Sequence, residues 1–218
     1  MSYKIDLHTH SVASPDGGLN LKQYKQMLKS GGLDYIAITD HNTTDFAIKA
    51  RNLLGEQIII GEEISTLQGD VIGLFLSSTV KPGQTLQKTI NDITQQNGLV
   101  YIPHPFEQIR SGISQNDLST IVPMIDIIET YNGRAYFNNK SNQAIVFAKT
   151  NNLASASSSD SHGKKGWGKT YTIISKKPTK NNLTQCLQKA NYSTKKVGMG
   201  ILYPKINKTK KILGLVNV

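Results

Sequence analysis

Residues 3–10 read Tyr3-Lys4-Ile5-Asp6-Leu7-His8-Thr9-His10. Residues 3–7 have the apolar, extended character of a buried strand. That strand runs directly into two imidazoles at positions i and i+2. On extended backbone such residues project to the same side, which is the geometry a metal chelate needs. Working outward, the same design returns along the chain. Residues 35–39 form an apolar strand that meets Asp40-His41, residues 58–65 hold Glu62-Glu63, and residues 99–102 lead to Pro103-His104-Pro105. The weaker strand at residues 154–158 leads to Asp160-Ser161-His162.

Between these strands lie stretches with helical spacing, at residues 19–30, 44–54, 85–96, about 138–149 and 183–190. Further strands are expected at residues 71–76, 125–131 and 170–174. Repeating strand–helix units predict a parallel sheet covered by helices. With about seven units and no dinucleotide fingerprint, the expected fold is α/β, a closed or nearly closed barrel. In such a barrel the C-terminal ends of the strands open onto one face. All five histidines, His8, His10, His41, His104 and His162, fall at predicted strand ends and would share that face. Independent core histidines have no reason to avoid every helix, so the pattern points to metal. Imidazole and carboxylate without thiolate suit Zn²⁺, Mn²⁺ or Fe²⁺.

The 218 residues, 38% apolar and 18% charged, bound the alternatives. They suit one globular domain and exclude a wholly disordered or collagen-like chain. No apolar run reaches a membrane span, and the N-terminal residues have no apolar leader, so a cytoplasmic protein without membrane partners is expected. The lone Cys186 excludes an internal disulfide and a thiolate metal cluster. Charge is uneven: residues 1–160 hold 12 Lys and Arg against all 15 acids, whereas residues 161–218 hold 13 Lys and no acid. Residues 1–190 are expected to form the barrel and residues 191–218 a short basic appendage or tail. Such a segment suits a polyanionic partner such as nucleic acid, or serves only solubility.

Taken in order, Asp6-Leu7-His8-Thr9-His10-Ser11, Ser14-Pro15-Asp16-Gly17, Ile38-Thr39-Asp40-His41-Asn42, Gly61-Glu62-Glu63-Ile64-Ser65, His104-Pro105, Ile128-Glu129-Thr130-Tyr131-Asn132 and Ser159-Asp160-Ser161-His162-Gly163 closely resemble the motifs of the PHP (polymerase and histidinol phosphatase) superfamily. The resemblance implies a distorted, TIM-like seven-stranded β/α barrel that binds two to three divalent ions and hydrolyses phosphate esters. It implies one metal held by His8, His10, Glu63 and Asp160. A second would share Glu63 and take His104, and a third would take Asp16, His41 and His162. Asp6 and Asp40 are expected to orient the histidines. Many relatives carry a further histidine on the strand after the glutamate. Here the nearest candidate is Asp70, which reads equally as a turn residue. Of the adjacent glutamates, strand alternation sends one to each face, and the Gly-x-Glu pattern selects Glu63.

The resulting expectation is a metal-dependent phosphoric ester hydrolase in which closely spaced dications supply a bridging hydroxide. Its substrate would be a small phosphomonoester, a nucleotide or a short oligonucleotide. Asn132 and Arg134 match a family position used for substrate. Arg110, Lys164 and Lys165 are weaker phosphate candidates, and Trp167, flanked by glycines, reads as the most exposed aromatic. Two rivals remain at this level. A metal amidohydrolase also begins its barrel with His-x-His, and a metal-bound scaffold could bind nucleic acid through its basic tail.

Overall fold

The computed structural model describes residues 1–136 and 139–215. Among the described residues nine strands form one sheet: β1 (Tyr3–Asp6), β2 (Tyr35–Ile38), β3 (Ile58–Thr66), β4 (Gly69–Leu74), β5 (Leu99–Ile102), β6 (Ile127–Asn132), β7 (Ala154–Ser158), β8 (Thr170–Ile174) and β9 (Asn191–Thr194). Their order is β7-β6-β5-β4-β3-β2-β1-β8-β9. Helices α1 (Leu21–Lys29), α2 (Asp45–Leu54), α3 (Leu86–Gln95), α4 (Gln115–Ile121), α5 (Ser141–Thr150), α6 (Leu183–Leu187) and α7 (Tyr203–Ile212) complete it. The expected start of the fifth helix at Asn138 lies outside the described residues, and α4 was not anticipated.

The pairs β1–β2, β2–β3, β5–β6 and β6–β7 are parallel, as the strand–helix rhythm predicts. The purely parallel expectation fails at two places. β4 runs antiparallel to both β3 and β5, and β8 runs antiparallel to β1. The reason at β4 is covalent reach. Only Leu67 and Gln68 separate β3 from β4, and a parallel crossover needs a dozen or more residues. The two strands therefore close as a hairpin, with Gly69 at φ +133° supplying the turn.

The sheet curls into a nearly closed, TIM-like barrel. At the mouth the ring is completed between the continuations of β1 and β7. Asp160 N–H donates to the His8 carbonyl at 2.9 Å, and His10 N–H donates to the Ser161 carbonyl at 2.9 Å. Deeper, Ser157 N–H donates to Thr172 Oγ1 at 2.8 Å. Inside the barrel Leu7, Ala37, Ile59, Ile72, Tyr101 and Ile127 pack together, with Leu183, Cys186 and Leu187 of the α6 region in the same cluster. Outside, α3, α4 and α5 cover β4–β6 through Ile90, Ile93, Leu118 and Phe147, while Tyr24 and Ala47 of α1 and α2 cover β2.

Trp167 belongs to that last layer, in correction of its expected exposure. It is buried and meets the Tyr24 ring edge-on at 5.1 Å. Beyond residue 190 the chain adds β9 to the edge of β8 and then α7. No helix among the described residues is long and apolar enough to cross a membrane.

Candidate metal centre

β1, β2, β5 and β7 deliver side chains to one mouth because each ends there and continues as a short irregular stretch, while β3 delivers Glu63 from within the strand. Parallel bridges Thr9–Ser161 and His41–Glu63 hold these continuations side by side. The structure brings all eight expected ligands together. Nε2 of His8 and Nε2 of His10 lie 3.1 Å apart. Each approaches Glu63 Oε2, at 3.2 and 3.1 Å, and Asp160 Oδ1, at 3.7 and 3.5 Å. His104 Nε2 is 3.0 Å from Glu63 Oε1. At the outer side His162 Nε2 and His41 Nε2 flank the Asp16 carboxylate at 3.1 and 3.8 Å.

The donor atoms fall into four overlapping groups, each within 4.8 Å: His8, His10 and Glu63; His8, His104 and Asp160; His10, Asp16, His41 and His162; and His41, Glu63 and Asp70. The His10 imidazole thus reaches the outer group as well as the inner one. Asp70 sits within β4 and not in the turn, buried, and close enough to join His41 and Glu63.

The residues fit divalent cations. Two buried imidazole nitrogens aimed at each other and at carboxylate oxygens about 3 Å away match the edge of a coordination polyhedron with bonds of about 2.1 Å. Nitrogen and oxygen donors without sulfur fit Zn²⁺, Mn²⁺ or Fe²⁺. His104 carries a further mark, since its Nδ1 is buried with no partner among the described residues. His104 and Asp160 also hold left-handed backbone, at φ 29° and 52°. Such conformations are costly for residues with a side chain and persist where the surroundings enforce them.

Electrostatics support the same reading. Burial would push the Glu63 carboxyl up, yet the charges of His8 and His41 and hydrogen bonds from His10 and His104 hold it well below the usual range. Burial likewise opposes ionisation of Asp160, but Arg134, His8 and Arg110 together keep it ionised. Burial also pulls the His10 imidazole down, but hydrogen bonds to Asp160 and Glu63 outweigh it and raise the value to about 9. His162 is pushed down to about 3 by burial and by the neighbouring His10 and Arg134 charges. The carboxylates are therefore ready as ligands, while His8 and His10 must release protons when a cation arrives.

The supporting contacts differ from the sequence expectation. Asp6 accepts from the His8 and Ser159 backbone N–H groups and from the Ser159 hydroxyl. Asp40 accepts from Ser11 N–H and its hydroxyl. Both carboxylates hold loop backbone, and among the described residues neither receives a hydrogen bond from an imidazole. That task falls to Glu129, which sequence reasoning left without a role. Its Oε1 faces His8 Nδ1 at 3.2 Å and accepts from Tyr101 hydroxyl at 2.8 Å. Its Oε2 accepts from His104 N–H at 2.7 Å and Asn132 Nδ2 at 2.8 Å. A usable signal was present: an acid in the apolar run Ile127-Ile128-Glu129, two places after an inward Ile127.

Asn132, expected at the substrate, is committed to the scaffold. Its amide nitrogen donates to Glu129 and Asp160, and its oxygen accepts from Arg134 N–H at 2.8 Å. Arg134 does reach the mouth, with Nη1 3.1 Å from Asp160 Oδ1 and Nε buried without a partner among the described residues. Arg110 also pairs with Asp160 and with Glu107 at 3.0 Å. These two guanidiniums and the ligands Asp16, His41, Glu63 and His162 line a cleft of about 240 Å³.

A family model for the PHP domain matches residues 6–185. The chain belongs to the PHP domain family. The matched span includes all eight candidate ligands and stops before α7. An uncharacterized protein of Methanocaldococcus jannaschii is 30% identical over 149 residues, covering 62% of this chain and 87% of that protein. Among solved structures, a two-domain protein of Bacteroides vulgatus containing a predicted PHP-like metal-dependent phosphoesterase superposes with a TM-score of 0.70 at 20% identity. That match covers 88% of this chain but only 64% of the Bacteroides chain. PsfC of Pseudomonas syringae gives a TM-score of 0.66 at 14% identity and covers 99% of both chains. At such identities the structural likenesses carry the PHP barrel and nothing finer.

Proposed function

We propose that this PHP-domain chain is a metal-dependent phosphoesterase acting on a phosphomonoester, a nucleotide or a short oligonucleotide. The observation that carries the reading is the conjunction of eight imidazole and carboxylate donors at one mouth with two guanidiniums that line its cleft beside six of them. Two to three divalent ions held by His8, His10, Glu63, Asp160, His104, Asp16, His41 and His162 would act as Lewis acids and activate water. The chain's own residues do the rest. Arg134 and Arg110 offer forked donors that match two phosphate oxygens, and both line the cleft. Asn132 fixes the Arg134 backbone, and Glu129 fixes the His8 ring and the His104 main chain. Over Asp70 and Ser111 the cleft meets a groove of about 500 Å³ lined also by Ser65, Gln68, Gln108 and Asp117. Its hydroxyl, amide and carboxylate groups suit a hydrogen-bonding leaving group.

The paired arginines favour phosphate over an amide substrate, since a neutral amide gives them no charge to bind. The test joins metal analysis with turnover. Protein prepared without chelator is analysed for metal, then assayed with Mn²⁺ on p-nitrophenyl phosphate, its bis-ester, nucleotides and short RNA. Two to three equivalents of metal with chelator-sensitive release support the proposal, and the preferred ester narrows the substrate. A fully metallated protein inert on every ester would reject it.

A further inference from the structure

Part of the basic stretch beyond residue 190 packs against the mouth. α7 lies outside the span matched by the PHP model, yet Asn207 donates from its one amide nitrogen to two main-chain carbonyls, Asp16 at 2.9 Å and His162 at 2.8 Å. Asp16 and His162 are candidate ligands 146 residues apart in sequence, on the loops that follow β1 and β7. An amide NH₂ has two hydrogens, and here each one ties down one ligand-bearing loop.

The neighbours on the same helix face repeat the theme. Four residues on, Lys211 Nζ donates to the carbonyls of Val12 and Ser14. Four residues back, Tyr203 lies so close to Gly163 that a Cβ there would stand 2.7 Å from its ring. Spacing of four places Tyr203, Asn207 and Lys211 on one face, and all three are half-buried while Lys205, Lys208 and Lys210 face water. The Asn207 amide is also fitted to its place: a Cβ at Gly18 would stand 2.7 Å from its Nδ2.

We infer that Asn207 is a positioning residue that sets the metal affinity of the outer donor group by clamping the Asp16 and His162 loops to α7. The inference rests on the metal-centre reading above. Asp16 stands on irregular backbone and is partly exposed, so its geometry depends on what restrains that loop. Removing contacts that orient ligands typically costs about 10–100-fold in metal affinity.

Calorimetric titration of the full, metal-free chain with Mn²⁺ tests this directly. Asn207→Ala should weaken one metal equivalent by about 10–100-fold and leave the others as they were. Gly18→Ala should do the same, because its methyl displaces the amide. Combined with Asn207→Ala it should add little, since the clamp is already gone. Lys208→Ala, on the exposed face, should change nothing. Unchanged binding in Asn207→Ala, or an equal loss of every equivalent, would overturn the inference. A wild-type chain that binds no Mn²⁺ would instead bring down the metal-centre reading itself.

Discussion

The inner and outer donors of the cleft are held by different means. His8, His10 and Glu63 are essentially inaccessible and stand on strand ends or their hydrogen-bonded continuations. The side chains of Asp16 and His41 are 22–24% exposed, on loops. The sheet ladder fixes the first group as a by-product of folding, and Glu129 locks the His8 ring behind it. In the second group, among the described residues, His41 has only the isolated bridge to Glu63, and Asp16 takes its restraint from the Ser14 hydroxyl and from α7. Rigid geometry is thus placed at the deeply buried donors, and adjustable geometry at the exposed ones.

The largest test of that contrast is removal of His8, which belongs to two inner groups. His8→Ala should lower phosphate release by roughly a thousandfold after metal stripping and repletion, whereas His41→Ala should lose roughly 10–100-fold. Equal losses would erase the distinction. Next comes the support behind the inner group. Glu129→Gln keeps the size of the side chain but weakens its hold on His8, and should cost about 10–100-fold in Mn²⁺ affinity. An unaltered titration would show that the sheet alone suffices. Smaller again is Arg134→Ala, for which kcat/KM should fall by about tenfold, chiefly through KM. Steady-state kinetics on the best ester decide it, and an unchanged KM would return Arg134 to a purely structural role.

The smallest effect separates two adjacent residues on β3. Glu63 enters the cleft, while Glu62 turns to the opposite face and accepts from Val80 N–H at 2.8 Å, its other oxygen unpartnered among the described residues. Burial pushes the Glu62 carboxyl up to about 7; the Val80 hydrogen bond pulls the value back and the Asp45 charge adds to the rise. Between pH 4.5 and 7 the folded chain therefore keeps a proton that the unfolded chain releases, so this group costs stability as pH rises through that window. Glu62→Gln should raise stability at pH 8 by on the order of 1–3 kcal/mol and give little at pH 4.5. Thermal unfolding of both proteins at the two pH values measures it. A pH-independent gain would point to packing and not to ionisation.

Much of this was readable in the residues because the informative features are local. Two imidazoles at i and i+2 on a strand, or Asp160 and His162 at the same spacing, declare their common side whatever the fold around them. Strand–helix alternation placed the strand ends on one rim for the same reason. What escaped depends on long-range partners. Glu129 is one acid in an apolar strand, and only the barrel reveals that Tyr101, His8, His104 and Asn132 surround it. Trp167 looked exposed between two glycines, yet those glycines let the chain fold the indole onto Tyr24. α7 docks through Tyr203, Asn207 and Lys211, a face with one aromatic and no apolar stripe, so its lysine-rich sequence read as a tail. α4, seven residues long, is too short for periodicity to stand out.

The bonds that complete the ring have a thermodynamic consequence. Ser159 meets Asp6 across 153 residues of chain, and the next residue, Asp160, is joined through its N–H to the His8 carbonyl. Bringing such distant segments together costs about 4–5 kcal/mol of loop-closure entropy. A cation shared by the side chains of His8 and Asp160 would span the same junction as those backbone bonds. Its binding energy would then act on the folding equilibrium as a crosslink between the first and seventh strands does. In this barrel the bonds that close the ring are also the bonds that bring the donors of β1 and β7 together.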